Sequence, residues 1–241
     1  MSETEMQISP AHEARPYKLI DLYCGMGGWS IGFYREGFDC LGVDIVDVGY
    51  TYRLVTGDIR EIDYTDILRA GGKPDFVTAS PPCTEFSTLT MLSYKKGQRG
   101  PPDPEAGMVL VKAAIEKINA LGPRYWLIEN VYGSIPYISR ELGKPALVAK
   151  PWVLWGNLPS FMLPDSRGGN RRISHSSEHR DNSLGKGGNK IGLPEDFPFD
   201  PLRSWKRAKI PTFLGQTIAR AAIEEMGATD RPEVANRGGV S

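Results

Sequence analysis

Two consecutive prolines, Pro81 and Pro82, close the short apolar run Asp75-Phe76-Val77-Thr78-Ala79 and limit how that run can be used. Each proline locks φ at about −65° and removes a backbone donor, so the chain cannot continue there as a central strand. Cys83, which follows, is therefore held on a stiff loop at the carboxyl end of a strand, where open α/β sheets put their ligands. A thiol presented in this way suits a nucleophile, provided a neighbour favours the thiolate. The plainer alternative is a small buried hydrophobe, because most free cysteines are that.

Strand and helix patterns alternate around this loop. Residues 18–23 read as a buried strand running into a glycine-rich turn, and residues 29–36 as a helix stopped by Gly37. Residues 39–44, 54–59, 75–79 and 125–128 read as further strands, and residues 103–120 carry helical periodicity. This alternation predicts an α/β fold built on a parallel, doubly wound sheet. A chain of 241 residues with 40% hydrophobic content supports one substantial domain with a modest insert. From Asp165 through Lys190, Gly, Asn, Ser and Arg dominate and periodicity is lost. It resumes at Ile210-Pro211, where Leu214, Ile218 and Ala222 give an amphipathic helix with proline near its start.

Composition excludes several classes. Lys+Arg 29 against Asp+Glu 29 leaves no global field for a polyanion, so nucleic-acid binding requires a local patch. Cys24, Cys40 and Cys83 lack C-x-x-C or Cys/His spacing, which argues against a disulfide framework or a zinc site. The first sixteen residues have no apolar signal-peptide core, and no stretch reaches membrane-spanning length, so a cytoplasmic, reducing setting fits best.

Three more segments carry chemistry. Residues 21–30 read D-L-Y-C-G-M-G-G-W-S, and their glycines allow positive φ and close backbone approach to a ligand at a helix start. The pattern is not G-x-G-x-x-G, which disfavours a nicotinamide-dependent reductase. Asp44 ends the second strand, suited to ribose hydroxyls, and Gly57-Asp58-Ile59 ends the third, suited to an adenine. Singly, each acid reads equally well as a loop residue. Glu129-Asn130-Val131 follows the fifth strand, where a desolvated carboxyl group has a raised pKa and suits proton sharing. The alternative there is an ordinary acid at a helix start, with Asn130 as a cap.

In this order the segments resemble the cytosine-5 methyltransferases, which use S-adenosylmethionine. The resemblance runs from about Leu19 to Val131, with a last motif from Ile210-Pro211 to Ala222. It implies a Rossmann-like sheet of the S-adenosylmethionine-dependent type, with a small irregular target-recognition insert. Its boundaries would be an arm at 1–17, a catalytic domain at 18–160, the insert at 161–206, a returning helix at 207–228 and a disordered tail at 229–241. It implies S-adenosylmethionine bound by Asp21, Tyr23, Cys24, Gly25, Gly27, Gly28, Trp29, Asp44, Ile45, Asp58, Ile59 and Pro81. It implies that Cys83 adds to C6 of cytosine while Glu129 holds N3 and the exocyclic amine, with the base flipped out of a duplex. Thr84 stands where many members carry Gln. The family's Q-x-R-x-R element is not recognisable, and Lys150 is the nearest candidate for one of its cations. The substrate implied is DNA, with RNA, a modified donor group or a non-catalytic binding module as alternatives.

The missing local basicity lies between the two blocks. Arg167, Asn170, Arg171, Arg172, His175 and Arg180 belong to types that contact phosphates and read base edges. A solvated loop is the alternative. His175 and His179 stand four apart, but with Gly and Ser around them no metal site is expected.

Overall fold

The computed structural model describes residues 15–98, 100–149, 152–164, 170–173 and 210–229. Their centre is a seven-stranded sheet of β1 (Tyr17–Leu22), β2 (Phe38–Asp44), β3 (Arg53–Thr56), β4 (Phe76–Ala79), β5 (Tyr125–Val131), β6 (Leu147–Ala149) and β7 (Trp152–Asn157). The strand order is β3-β2-β1-β4-β5-β7-β6, parallel except for β7, which runs antiparallel to both its neighbours. The chain winds outward from β1 to β3 and then returns to place β4 on the other side of β1. The carboxyl ends of β1 and β4 therefore flank the topological switch point, the crevice where such sheets bind ligands.

Helices cover both faces. On one side lie α2 (Tyr64–Gly71) and α4 (Pro104–Leu121), where Ile67, Ala114 and Ile118 pack on Ile20, Leu22 and Val77. Asp103 caps α4 by accepting from the Ala106 N–H with proline in the first turn, and Gly122 ends it at φ 56. On the other side lies α1 (Gly28–Arg35), followed by Gly37 at φ 98, the left-handed stop the sequence predicts. The later helices are α3 (Thr88–Lys95), α5 (Ile135–Leu142) and α6 (Thr212–Thr229).

The last helix returns to the first. A Cβ on Gly32 would lie 2.8 Å from Gly215 Cα and from Gln216 N, so only glycine lets α6 come this close to α1. Leu214, Ile218 and Ala222 join Trp29, Phe33 and Phe76 in one core, and Glu36 accepts from Arg220 at 2.8 Å and Gln216 at 2.9 Å.

The structure corrects the sequence reading at several places. Order begins before Lys18: Tyr17 pairs with Phe38, and Arg15 donates to the Tyr34 carbonyl at 2.6 Å while stacking on the Tyr34 ring. That guanidinium adds a second donor to a carbonyl at the end of α1 that also accepts from the Gly37 N–H at 3.1 Å, which ties down residues assigned to a flexible arm. Residues 135–142, plain in sequence, form α5, and Ile138 packs with Val153 and Trp155 of β7. The stretch expected to be irregular contains a strand. β8 (Phe161–Pro164) pairs antiparallel with β9 (Asn170–Ile173), and Phe161 and Leu163 are buried in the main core. α6 extends to Thr229, and the expected tail beyond it lies outside the described residues.

Candidate active site

The turn after β1 is held from behind by a buried polar network. Asp21 is 1% exposed, and its carboxylate accepts from Ser30 Oγ at 2.7 Å and from Thr78 Oγ1 at 2.8 Å. Ser30 Oγ also pairs with the Tyr50 hydroxyl at 2.7 Å. The Tyr50 ring fills space that glycine leaves, since a Cβ on Gly42 would lie 2.6 Å from its Cζ and one on Gly27 3.1 Å from its Cε2. Burial pushes the Asp21 carboxyl up to about 7, against the lowering pull of its two hydroxyl donors.

The front of the turn is open. Tyr23, Gly25 and Gly27 all take positive φ, and a Cβ on Gly25 would meet nothing within 4 Å. Gly28 is closed instead by Ile210 N, 2.9 Å from where its Cβ would sit. Asp44 Oδ2 accepts from the Gly25 N–H at 2.8 Å, so the acid at the end of β2 braces the turn. Beside it Ile45 is 65% exposed, an apolar side chain with no core to fill. Asp58 is ion-paired with Arg60, whose hydrogen bonds hold its carboxyl down to about 2. Open glycine backbone, two strand-end acids and an exposed aliphatic side chain are the donor set that a nucleoside with a charged tail requires.

Several of the residues expected to touch a cofactor have buried side chains. Asp21, Cys24, Trp29 and Ile59 are all buried, so their side chains shape the turn from inside the core. Tyr23 is likewise engaged, its hydroxyl donating to the Leu110 carbonyl of α4 at 2.8 Å.

The second half of the site lies at the ends of β4 and β5, which pair in register from Phe76↔Tyr125 to Ala79↔Ile128. That register carries the Pro-Pro-Cys loop alongside Glu129. Asn130 is buried and donates to the Pro81 carbonyl at 3.0 Å, while its Oδ1 accepts from the Val131 N–H at 2.9 Å. It is a strand residue clasping the loop, not a helix cap. Beyond Cys83 a short 3-10 turn, Thr84–Phe86, is seated by two glycines. A Cβ on Gly107 would lie 2.7 Å from Phe86 Cζ, and one on Gly133 would lie 2.1 Å from the Phe86 carbonyl oxygen.

Burial pushes the Glu129 carboxyl up to about 7, partly opposed by a hydrogen bond from Ser80. Ser80 in turn accepts from the Trp29 indole N–H at 3.0 Å. The half-buried Cys83 thiol is pushed up by burial and then by the Glu129 charge, with a smaller lowering from a backbone hydrogen bond. The neighbour favouring the thiolate that the sequence reading asked for is not what stands there. Glu129 opposes ionisation while it is charged, and the opposition ends when it holds a proton.

Of the remaining expected residues, Asn170, Arg171 and Arg172 lie in β9, opposite Pro164, Leu163 and Met162. Lys150, Arg167, His175 and Arg180 lie outside the described residues. Among the described residues no three His, Cys, Asp or Glu side chains gather as a metal site, and no helix is long and apolar enough to cross a membrane. Sequence reasoning missed Ser30, Tyr50, Thr78 and Ser80. Ser30 and Thr78 lay inside quoted segments and Ser80 next to one, while Tyr50 carried no local signal.

Residues 17–136 match the family model for the C-5 cytosine-specific DNA methylases. The Type II methyltransferase M.AplI of Arthrospira platensis is 30% identical over 128 residues, 51% of this chain and 33% of its own length. M.FnuDI of Fusobacterium nucleatum is 30% identical over 135 residues, 53% of this chain and 36% of its own. The chain thus spans about a third of the length of these curated relatives. Among solved structures, the Entamoeba histolytica methyltransferase EhMeth is similar at a TM-score of 0.37 and 19% identity, covering 52% of this chain and 41% of that one.

Proposed function

Through residues 17–136 the chain belongs to the C-5 cytosine-specific DNA methylase family, and from that premise we propose that it methylates C5 of cytosine in DNA. The observation that carries the reading is the pairing of Cys83 with Glu129. Cys83 stands on the loop after β4 and Glu129 in the last three residues of the adjacent β5, Asn130 ties that loop to the strand, and the Glu129 charge raises the Cys83 thiol. A non-catalytic binding module would need neither group.

S-adenosylmethionine, when bound, supplies an electrophilic methyl group. Gly25, Asp44, Ile45 and Asp58 would hold it, with Pro81 at the border between the two halves of the site. Cytosine is not nucleophilic at C5. Attack of the Cys83 sulfur on C6 breaks the C5–C6 double bond and makes C5 an enamine carbon; once C5 carries the methyl group, loss of its proton re-forms the double bond and expels the Cys83 thiolate. Glu129 holds N3 and the exocyclic amine, and its proton offsets the negative charge that develops on the ring. A neutral Glu129 also removes the charge that opposes the Cys83 thiolate, so both roles call for the same protonation state. For a duplex substrate the base must leave the stack to reach Cys83. The insert at 161–206 would hold the nucleic acid, with Lys150 as the candidate for the family's catalytic cation. A reducing, cytoplasmic setting suits three free thiols.

The test offers labelled S-adenosylmethionine with duplex DNA, single-stranded DNA and tRNA, followed by nucleoside analysis. Label in 5-methylcytosine from duplex DNA is expected. Cys83→Ser is expected to abolish transfer while binding S-adenosylhomocysteine normally, and duplex carrying 5-fluorocytosine is expected to trap the wild type covalently. A serine variant with near-wild-type turnover overturns the mechanism. Label appearing only in tRNA overturns the choice of DNA.

A further inference from the structure

Three residues of the turn after β1 take left-handed backbone in alternation: Tyr23 at φ 56, Gly25 at φ 50 and Gly27 at φ 77. Glycine enters this region freely, whereas a side chain there crowds the following carbonyl oxygen. Among the described residues, Tyr23 is the one residue other than glycine with a positive φ. A bulky side chain stays in such a conformation only where its surroundings hold it, and such strain clusters at functional sites.

The hold on Tyr23 comes from α4. Its hydroxyl donates to the Leu110 carbonyl, in the middle of that helix, at 2.8 Å. Its half-buried ring packs on the core that Ile67 of α2 and Ala114 of α4 share with Leu22. Burial, and after it the Asp58 charge, push the phenol up, so the hydroxyl keeps the proton it donates. α4 is itself firmly seated. Asp103 caps it, Gly107 lets Phe86 close on it, and the Asp103 N–H donates to Glu85 Oε2 at 2.8 Å. On its other side the turn is braced from β2, where Asp44 accepts from the Gly25 N–H at 2.8 Å. Between the two braces the space a Gly25 side chain would fill is open.

We propose that Tyr23 is a positioning residue of the donor site, whose hydroxyl bond to Leu110 fixes the glycine turn in its open course before the donor binds. The inference rests on reading this turn as the S-adenosylmethionine site. A turn held in advance leaves less chain to order on binding, so the bond registers in donor affinity. Once bound, the donor orders the turn itself, and the chemical step at saturation proceeds at its usual rate.

The test separates the hydroxyl bond from the ring and from the backbone conformation. Tyr23→Phe keeps the ring and loses the bond, while Tyr23→Gly fits the left-handed backbone without strain and loses the anchor. Both are compared with wild type for S-adenosylhomocysteine affinity by calorimetry and for single-turnover methyl transfer to duplex DNA at saturating donor. Hydrogen exchange of the amides at 24–28 is followed with and without S-adenosylhomocysteine. Tyr23→Phe is expected to weaken S-adenosylhomocysteine by about three- to tenfold, as loss of one hydrogen bond does, with the saturated rate within about twofold. Its turn amides are expected to exchange faster than wild type in the free protein and equally in the complex. Tyr23→Gly is expected to bind at least as weakly as Tyr23→Phe. A Tyr23→Phe affinity loss below about threefold overturns the proposal. So does a Tyr23→Gly variant with wild-type affinity, which would make backbone shape sufficient, or a saturated rate that falls in parallel with affinity. A wild-type protein that binds no S-adenosylhomocysteine overturns the donor-site reading itself.

Discussion

Asn130 donates its carboxamide N–H to the carbonyl of Pro81 at 3.0 Å, which fastens the end of β5 to the loop that carries Cys83. Proline has no N–H of its own, so this carbonyl is the only polar backbone group Pro81 brings to the bond. The clasp makes the spacing between Cys83 and Glu129 a property of the fold and not of loop fluctuation.

Replacing Asn130 is therefore expected to affect rate more than donor binding. Asn130→Ala strands a buried carbonyl and the Val131 N–H, at a cost of about 1–3 kcal/mol in stability for an unsatisfied group. Asn130→Asp keeps the acceptor for Val131 but cannot donate to Pro81 once ionised, and is expected to slow transfer at least as much. Urea denaturation beside single-turnover kinetics checks both. A fully active Asn130→Ala protein would show that the clasp is irrelevant to chemistry.

The coupling between Glu129 and Cys83 has a readout that needs no substrate. The charge on Glu129 raises the Cys83 thiol, so Glu129→Gln is expected to lower the thiol pKa and speed its alkylation by iodoacetamide near pH 8. Cys24 and Cys40 are buried, with thiols pushed far up by burial, and should react slowly in both proteins. Mass spectrometry of Cys83 labelling against time measures the effect. An unchanged or slower rate in Glu129→Gln means the two groups do not sense each other.

Asp21 gives a stability prediction with a definite sign. In the fold its carboxyl is pushed from the ordinary 3.8 up to about 7, so between those values the folded chain holds a proton that the unfolded chain releases. Stability therefore falls as pH rises through that window, at most by ~1.4 kcal/mol per pH unit for one group. Asp21→Asn removes the titration and is expected to flatten the profile between pH 4 and 7. Glu129 acts in the same direction and is present in both proteins, so the difference between them isolates Asp21. Equal slopes in wild type and Asp21→Asn, read from denaturation at several pH values, refute it.

What the sequence revealed and what it hid follow from locality. The strand ends were legible because alternating apolar runs stop at Pro81, at Glu129 and at the glycines after Tyr23, where the backbone must change course. The returning helix was legible from the spacing of Leu214, Ile218 and Ala222. Hidden were the contacts made between distant segments. Thr78 reaches Asp21 across two strands, and Trp29 reaches Ser80 from a different layer. Nothing local marks Trp29 as a donor to Ser80. Residues 135–142 hid for a related reason: Pro136 and Gly143 obscure a short amphipathic helix, which Ile138 anchors only once β7 supplies Val153 and Trp155.

The hairpin carries the last prediction. Arg171 and Arg172 lie side by side in β9, opposite Leu163 and Met162 of β8. Leu163 is buried in the main core and Met162 is 46% exposed, so the hairpin has one inner and one outer side. Alanine at both positions is expected to weaken duplex binding while leaving S-adenosylhomocysteine affinity unchanged. The single variant that loses more identifies the contacting side chain. If the contact is to phosphate, the slope of log K against log salt should fall by about 1 for that variant, with no change in sequence preference. If it is to a base edge, preference should relax at one position at a cost of roughly 1–3 kcal/mol. Duplex affinity at four salt concentrations, measured beside donor titration on the same preparation, decides between them. An unchanged slope together with unchanged preference in the double variant would remove the hairpin from the nucleic-acid interface.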